Sequence, residues 1–327
     1  MSGIFGLLQL FVLSVAALAL AVALVTATVY PWLRPRLTRM GPARRARLLT
    51  ALCVAPLCIA LLQTGLLFVP GVLGALWPEL DHCLSHTVAG HVHLCFAHPP
   101  GSAGAWLGWL VVLGVVVGFG HPLAKDLART WRSASLIRQL VHTAQPVSGG
   151  LRIVQSPVPL AAATAVGAEV LVSSALVETL SPTLLDAVVA HERAHVRRRD
   201  PWRRVAAMLF SAGHLPGVRR TLLEDLELAC EQASDEEAAQ AVGNRLHVAQ
   251  ALLAVTRMAG ACTMPVGATA FGASSIEARV ASLLAAPAPE GRLLTEVAWL
   301  TAAAALAIAV AAPGHHLAEH LIELLAG

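Results

Sequence analysis

Four long stretches of the chain are apolar and almost free of charge, and they restrict what this sequence can fold into. They run from Gly3 to about Tyr30, from about Leu48 to Leu76, from Ala103 to about Leu123, and from Leu293 to about Ala312. Each is near or above the ~20 residues that an α-helix needs to cross a bilayer. The first lacks a basic N-terminal region and is too long for the apolar core of a signal peptide. We therefore predict four transmembrane helices.

The composition agrees with a membrane protein. Charged residues make up 13% and hydrophobic residues 56% of the 327 residues, whereas soluble domains average about 25% charged residues. So apolar a chain cannot be disordered, and six cysteines are too few for a disulfide-rich secreted scaffold. A transporter or channel is disfavoured because the predicted spans contain almost no charge that could form an ion pathway.

The basic residues predict the orientation of the spans. Six arginines lie at positions 34–47, and the other 17 basic residues lie between Lys125 and Arg292. Lys and Arg concentrate in cytoplasmic loops, so both segments are predicted to face the cytoplasm and both termini to face outward. The near-exclusive use of arginine over lysine indicates a bacterial genome rich in G and C. We therefore predict a multi-pass protein of a bacterial inner (cytoplasmic) membrane.

The predicted spans divide the chain into three parts. Residues 1–124 hold three transmembrane helices, a cytoplasmic basic loop at 31–47 and an extracytoplasmic loop at 77–102; residues 125–292 form a cytoplasmic domain; residues 293–327 hold the fourth span and a short tail. The outward loop contains Cys83 and Cys95, a candidate disulfide in a compartment where disulfides persist. The histidines of this loop make metal binding one alternative. We favour the other, a loop closed by a disulfide in which the histidines are only solvated.

The cytoplasmic domain is predicted to begin with an amphipathic helix at Asp126–His142, which leaves the membrane and is broken by Gly149–Gly150. A small sheet and a second helix are predicted to follow. Leu151–Gln155 and Ala168–Ser173 are β-prone and are separated by prolines and a glycine, so we predict two strands, one of them an exposed edge. Ser181 and Pro182 then form a helix start, with serine as N-cap and proline at the first helical position.

That helix carries the sequence AHERAH, in which His191, Glu192 and His195 form an HExxH motif. Residues four apart lie on one helix face, so the two imidazoles can converge on one Zn²⁺ ion. Glu192 lies about 100° around the helix, where its carboxylate can act as a base on water held by the metal. After a basic run, Asp200 is expected to be the N-cap of the next helix.

A third ligand is expected from the acidic helix EDLELACEQASDEEAAQAVG, which is predicted to end with Gly243 as C-cap. Glu231 and Asp235 lie on one face, so Glu231 can ligate zinc while Asp235 hydrogen-bonds a ligating histidine. An ordinary solvated acidic helix would look the same, but together with HExxH the pattern favours one zinc ion per chain. On spacing alone the open alternatives are Glu224, Glu227, Glu236 and Glu237.

Three other features are expected to have no catalytic role. Arg279, in IEARVASLL, lies on a predicted helix that leads to the last span and is expected to be structural. His214, in a loop, has no partner at ligand spacing and is likewise expected to be structural. The basic run Arg197–Arg199 is expected either to lie near lipid headgroups or to orient substrate. The basic cytoplasmic face follows from the orientation rule, so we expect the lipid bilayer and no nucleic acid as partner.

The sequence resembles the BlaR/MecR-type integral-membrane zinc metallopeptidases, HExxH gluzincins related to the HtpX/Ste24 group. The resemblance is carried by the four spans, by AHERAHVRRRDPW, and by a downstream ExxxD that Glu231 and Asp235 match. It implies a mainly α membrane protein with an α+β minigluzincin-like domain between the third and fourth helices. It further implies zinc-dependent cleavage of polypeptides, with Glu231 as ligand and an edge strand, for which Ala168–Ser173 is the candidate, positioning the substrate.

The chain departs from the antibiotic-sensing members of that family. Those carry a penicillin-binding domain after the fourth span, and we expect none here. No Ser-x-x-Lys occurs, since Lys125 is the sole lysine and Pro122 stands three residues before it. β-Lactam acylation is therefore not expected, although a role in signal transduction stays open. The alternative is a non-catalytic receptor that keeps the peptidase fold; the intact Glu192 speaks against it.

Overall fold

A computed structural model of the chain describes residues 2–77, 105–164, 167, 169–261 and 272–286. This part is mostly helical, with one small mixed sheet. The helices are α1 (Ser2–Leu37), α2 (Pro42–Leu76), α3 (Ala105–Thr143), α4 (Ser174–Thr179), α5 (Pro182–Arg198), α6 (Asp200–Phe210), α7 (Pro216–Val242), α8 (Arg245–Ala261) and α9 (Gly272–Leu284). The strands are β1 (Gln145–Val147), β2 (Leu151–Val154), β3 (Ala161–Ala163) and β4 (Val170–Ser173).

Three of the described helices are long and apolar enough to cross a membrane. The segments are Phe5–Leu37, Pro42–Gly74 and Trp109–Thr143, and they overlap the first three predicted spans. α1 and α2 are joined by a short turn and pack against each other. The fourth predicted span and the candidate disulfide of Cys83 and Cys95 lie outside the described residues.

α3 is one continuous helix, although the sequence predicted a span followed by a separate amphipathic helix. Its 39 residues correspond to about 58 Å at 1.5 Å per residue, whereas the hydrocarbon core of a bilayer is about 30 Å thick. α3 is therefore longer than a bilayer crossing requires, and its C-terminal end leads into β1. The glycines of Ser148–Gly150, which were expected to end this helix, form the turn between β1 and β2 instead.

The sheet has the strand order β1-β2-β4-β3, with β2 and β4 parallel and the outer pairs antiparallel. β2 and β4 confirm the two strands predicted from the sequence. β1 and β3 were missed because each has only three residues, and neither is rich in strand-forming residue types: one reads Gln-Pro-Val and the other Ala-Ala-Ala.

The prediction that Ala168–Ser173 forms the edge strand is wrong. β4 lies between β2 and β3, and all four of its residues are buried. Its Val-Leu-Val side chains are buried on both faces of the sheet, as expected for a strand with a neighbouring strand on each side. The edge strand next to α5 is β3, whose small alanines suit a half-buried rim.

A buried core positions α5 between the sheet and the other helices of the domain. Val170 and Val172 of β4 pack in one cluster with Ala187 and Val188 of α5, with α7 and α8 completing it. α5 begins at Pro182 and α7 ends at the left-handed Gly243, as the sequence predicted. Because α5 packs directly against α7, the HExxH motif faces the acidic helix.

α7 also connects the domain to the membrane helices. A second buried cluster joins Leu49 and Cys53 of α2 to Leu222 and Leu226 of α7. At the end of α1, Tyr30 donates a 2.6 Å hydrogen bond to Asp225, and Arg34 binds the same carboxylate at 2.7 and 2.9 Å. The helix that carries the predicted third ligand is therefore fixed to the first two membrane helices.

The loop between α6 and α7 is seated against α2 at a proline. Pro56 has no backbone N–H, so the carbonyl group of Leu52 lacks its helical partner. His214 supplies the missing donor, since its Nε2 lies 2.9 Å from that oxygen. A Cβ on the adjacent Gly213 would lie 3.1 Å from Pro56, so this close approach favours glycine. His214 thus has a structural role, as expected.

Candidate metal centre

The two histidines of the HExxH motif lie one helical turn apart on the face of α5 that contacts α7. Their Nε2 atoms are 3.1 Å apart, and both side chains are largely buried. The helix places them so because residues four apart share a face. Both metal-binding nitrogens therefore point at the same place.

Glu231 of α7 completes the group. Its two carboxylate oxygens lie 3.4 Å from Nε2 of His191 and 3.4 Å from Nε2 of His195. One ligand atom from each of the three residues falls within 4.8 Å of the others, so this group could hold a metal ion.

The four glutamates of α7 that spacing had left open as ligands face arginines instead. Glu227 binds Arg204, Glu236 binds Arg245, and Glu237 binds Arg197. Glu224, at the start of the predicted acidic stretch, lies near Arg220. Of the alternatives that spacing left open, the structure brings none to both histidines.

The remaining nitrogen of each imidazole faces a buried carboxylate. Nδ1 of His191 lies 2.9 Å from Asp235, and Nδ1 of His195 lies 3.0 Å from Asp200. A carboxylate at Nδ1 holds the proton there and leaves Nε2 to ligate, which is the common arrangement around zinc. Asp235 was predicted for this position from its spacing to Glu231.

Asp200 was assigned wrongly from the sequence. It does not cap α6 but is its first residue, with Arg199 preceding it in the left-handed conformation at φ 54. This turn directs the fully buried Asp200 side chain back to His195, where Arg198 and Arg203 bind the carboxylate. Arg198 of the basic run thus supports the site. In the sequence, the position of Asp200 five residues after His195 was the signal that could have indicated its role.

The charges of the site favour ionised carboxylates and proton-binding imidazoles. Burial alone would raise the pKa of Glu231, but His191, His195 and Arg279 outweigh it and hold the pKa well below its usual value. Burial likewise opposes the charged form of His191, yet Asp235 and Glu231 raise the pKa of this imidazole to about 10. The ionised carboxylate of Glu231 thus faces both imidazoles, and a carboxylate must be ionised to ligate a metal.

The donor set fits zinc. Two imidazole nitrogens and one carboxylate, with a fourth position left open, are the ligands of many catalytic zinc sites. Glu192 directly follows His191 and is half-buried beside this group. It makes no ion pair with any residue in the described ranges, although it lies near enough to Arg279 for their charges to interact.

The substitution Asp200→Asn is expected to weaken zinc binding about 10- to 100-fold, because His195 loses the carboxylate that orients it. It should also lower the melting temperature, since Arg198 and Arg203 lose a fully buried partner. Competition with a chromophoric chelator measures the affinity. The exposed Asp186→Asn on the same helix α5 is the matched control, and equal affinities in the two variants would contradict the role of Asp200.

Comparison with known proteins places part of the chain in a known family model. Residues 151–259 match the family model described as peptidase family M48. The matched segment runs from β2 into α8 and contains all three candidate ligands, whereas α1–α3 and α9 lie outside it. No curated protein and no solved structure matches the chain. The match supports a metallopeptidase domain in the middle third of the chain.

Proposed function

We propose that this chain, with its peptidase family M48 domain at residues 151–259, is a membrane-embedded zinc endopeptidase that cleaves cytoplasmic or membrane-proximal polypeptides. The convergence of His191, His195 and Glu231 beside Glu192 is the observation that carries the proposal. The long apolar helices that precede the domain support its attachment to a membrane.

Each residue of the site would have a distinct role in hydrolysis. His191, His195 and Glu231 would hold zinc, which when bound supplies a Lewis acid that polarises the peptide carbonyl group. Glu192 would accept a proton from the attacking water and deliver it to the departing amine, so that one water is consumed for each bond broken. Asp235 and Asp200 keep both imidazoles oriented throughout.

The edge of the sheet offers a place for the substrate. β3 pairs with β4 on one side, and its other side pairs with no strand in the described part of the chain. It packs against α5, which carries the HExxH motif. An extended polypeptide can add to such an edge through backbone hydrogen bonds, and the three alanine side chains of β3 leave room for it.

The basic residues support the placement of this domain in the cytoplasm. We propose that residues 125–292 face the cytoplasm of a bacterium and that residues 77–102 and both termini lie outside the inner membrane. The support is the confinement of all 23 basic residues to the segments predicted to be cytoplasmic.

A role in signal transduction is supported by the contacts of α7 with the membrane helices. Asp225 binds Tyr30 and Arg34 of α1, and Gln232, next to Glu231, accepts a hydrogen bond from Arg45 of α2. A shift of α1 or α2 would therefore act on the helix that carries a ligand. A receptor without catalysis could use the same contacts, which makes it the alternative to the peptidase.

Metal removal tests the proposal. The detergent-purified full chain is expected to hold about one zinc per chain and to cleave casein or itself. Treatment with 1,10-phenanthroline should stop cleavage, and added Zn²⁺ should restore it. Cleavage that persists without metal, or wild-type protein that binds no zinc, would refute the zinc peptidase, while zinc binding without cleavage would favour the receptor.

A further inference from the structure

We infer that Arg279 of α9 is a positioning residue of the metal centre, which holds the ligand Glu231 and the orienting carboxylate Asp235 with one guanidinium group. The inference rests on the proposed zinc site. It goes beyond the family match, since α9 lies after residue 259, where the matched segment ends.

The geometry of Arg279 is that of a fork. Its Nε donates to one oxygen of Asp235 at 2.8 Å, and its Nη2 donates to the other at 2.7 Å. The third nitrogen, Nη1, lies 2.9 Å from Glu231. Paired N–H groups fix both the distance and the plane of a carboxylate, and a lysine ammonium cannot reproduce this because it is a point charge.

The contacts of Arg279 reach two of the three candidate ligands. One route is direct, through Glu231. The other passes through Asp235, whose carboxylate lies 2.9 Å from Nδ1 of His191. Rotation of Glu231 would turn its oxygens away from the histidines, and rotation of Asp235 would release His191, so the guanidinium group holds one candidate ligand directly and a second through Asp235.

Burial makes the loss of the Arg279 contacts costly. The side chain of Arg279 is 13% exposed and that of Asp235 is 2% exposed. A buried carboxylate that loses its cation is costly and would turn towards water, away from the histidines.

α9 is fixed at two points, which places Arg279 accurately. Gln232 of α7 donates a 2.9 Å hydrogen bond to the backbone oxygen of Ala278, the residue before Arg279. Near the end of α9, Arg245 donates to the backbone oxygens of Ser282 and Leu283 at 2.9 and 2.8 Å. Arg245 thus docks the same helix without touching any candidate ligand, which makes it a matched control.

Zinc affinity of the full-length, detergent-purified chain tests the inference. We expect Arg279→Gln to weaken zinc binding about 10- to 100-fold in competition with a chromophoric chelator. Arg279→Lys should restore only part of the affinity, because lysine keeps the positive charge but cannot donate the paired hydrogen bonds to Asp235. Arg245→Gln should lower the melting temperature of the metal-free protein and keep the wild-type zinc affinity. The visible spectrum of bound Co²⁺ should change in Arg279→Gln and not in Arg245→Gln.

Two outcomes would overturn the inference and leave the peptidase standing. One is wild-type zinc affinity in Arg279→Gln. The other is a loss of zinc affinity in Arg245→Gln as large as that in Arg279→Gln, which would mean that Arg279 acts only by docking α9. Where Arg279→Gln fails to fold, the comparison of Arg279→Lys with Arg245→Gln decides between the same outcomes. Wild-type protein without zinc would instead refute the proposed function.

Discussion

Replacing Glu192 by glutamine is expected to lower peptide hydrolysis about 10²- to 10⁴-fold, the usual contribution of a general base, and to leave zinc binding unchanged. Glutamine has nearly the shape of glutamate but cannot accept the proton of the attacking water. Glu192 is not among the three residues that converge on the candidate metal position, so its loss should spare the ligands. Initial rates on casein and zinc per chain, measured on the same preparations, test both parts.

A matched control for this substitution is Glu178→Gln, which removes the same charge from an exposed position on α4. It should keep both wild-type hydrolysis and wild-type zinc content. Full hydrolysis by Glu192→Gln would show that another group is the base. Loss of zinc from Glu192→Gln would place this carboxylate among the ligands.

Glu231→Gln is expected to abolish stable zinc binding, whereas Glu227→Gln, one turn earlier on α7, should retain it. The carboxylate of Glu231 reaches both histidines at 3.4 Å, whereas that of Glu227 is 48% exposed and pairs with Arg204. Loss of a ligand should exceed the about 10- to 100-fold effect of losing a group that only orients one. Zinc content after dialysis against a weak chelator distinguishes the two variants.

The melting temperatures of the metal-free variants serve as the control for folding. Glu231→Gln removes a charged partner from Arg204 and Arg279, so a general loss of structure has to be separated from the loss of a ligand. A variant that melts like the wild type and binds no zinc supports the assignment. Equal zinc loss in Glu227→Gln would contradict it.

The local features of the molecule follow from residue periodicity and could be predicted without a structure. An uncharged apolar run long enough to cross a bilayer predicts a span, and the first three predicted spans overlap helices of that kind in the described residues. Pro182 and Gly243 mark helix ends because their backbones favour those positions. His191 and His195 share a face because of the helical repeat, which any helix with this motif would show.

Contacts between distant segments could not be predicted in this way. β3 rather than β4 is the edge strand next to α5, because β4 is buried on both faces, by Val170 and Val172 on one and by Leu171 on the other. The selection of Glu231 among several acidic residues depends on how α5 packs against α7, and spacing along α7 carries no information about that packing.

The supporting groups of the metal centre show the same limit. Asp200 reaches His195 only through the left-handed turn at Arg199, and Arg279 reaches Asp235 across 44 residues of sequence. Helical periodicity reports which residues share a face of one helix, but it does not report which faces meet. The candidate ligands His191 and His195 could therefore be predicted from the sequence, because they lie on a single helix. Asp200 and the arginines that support the site could be identified only from the packing of the helices against one another.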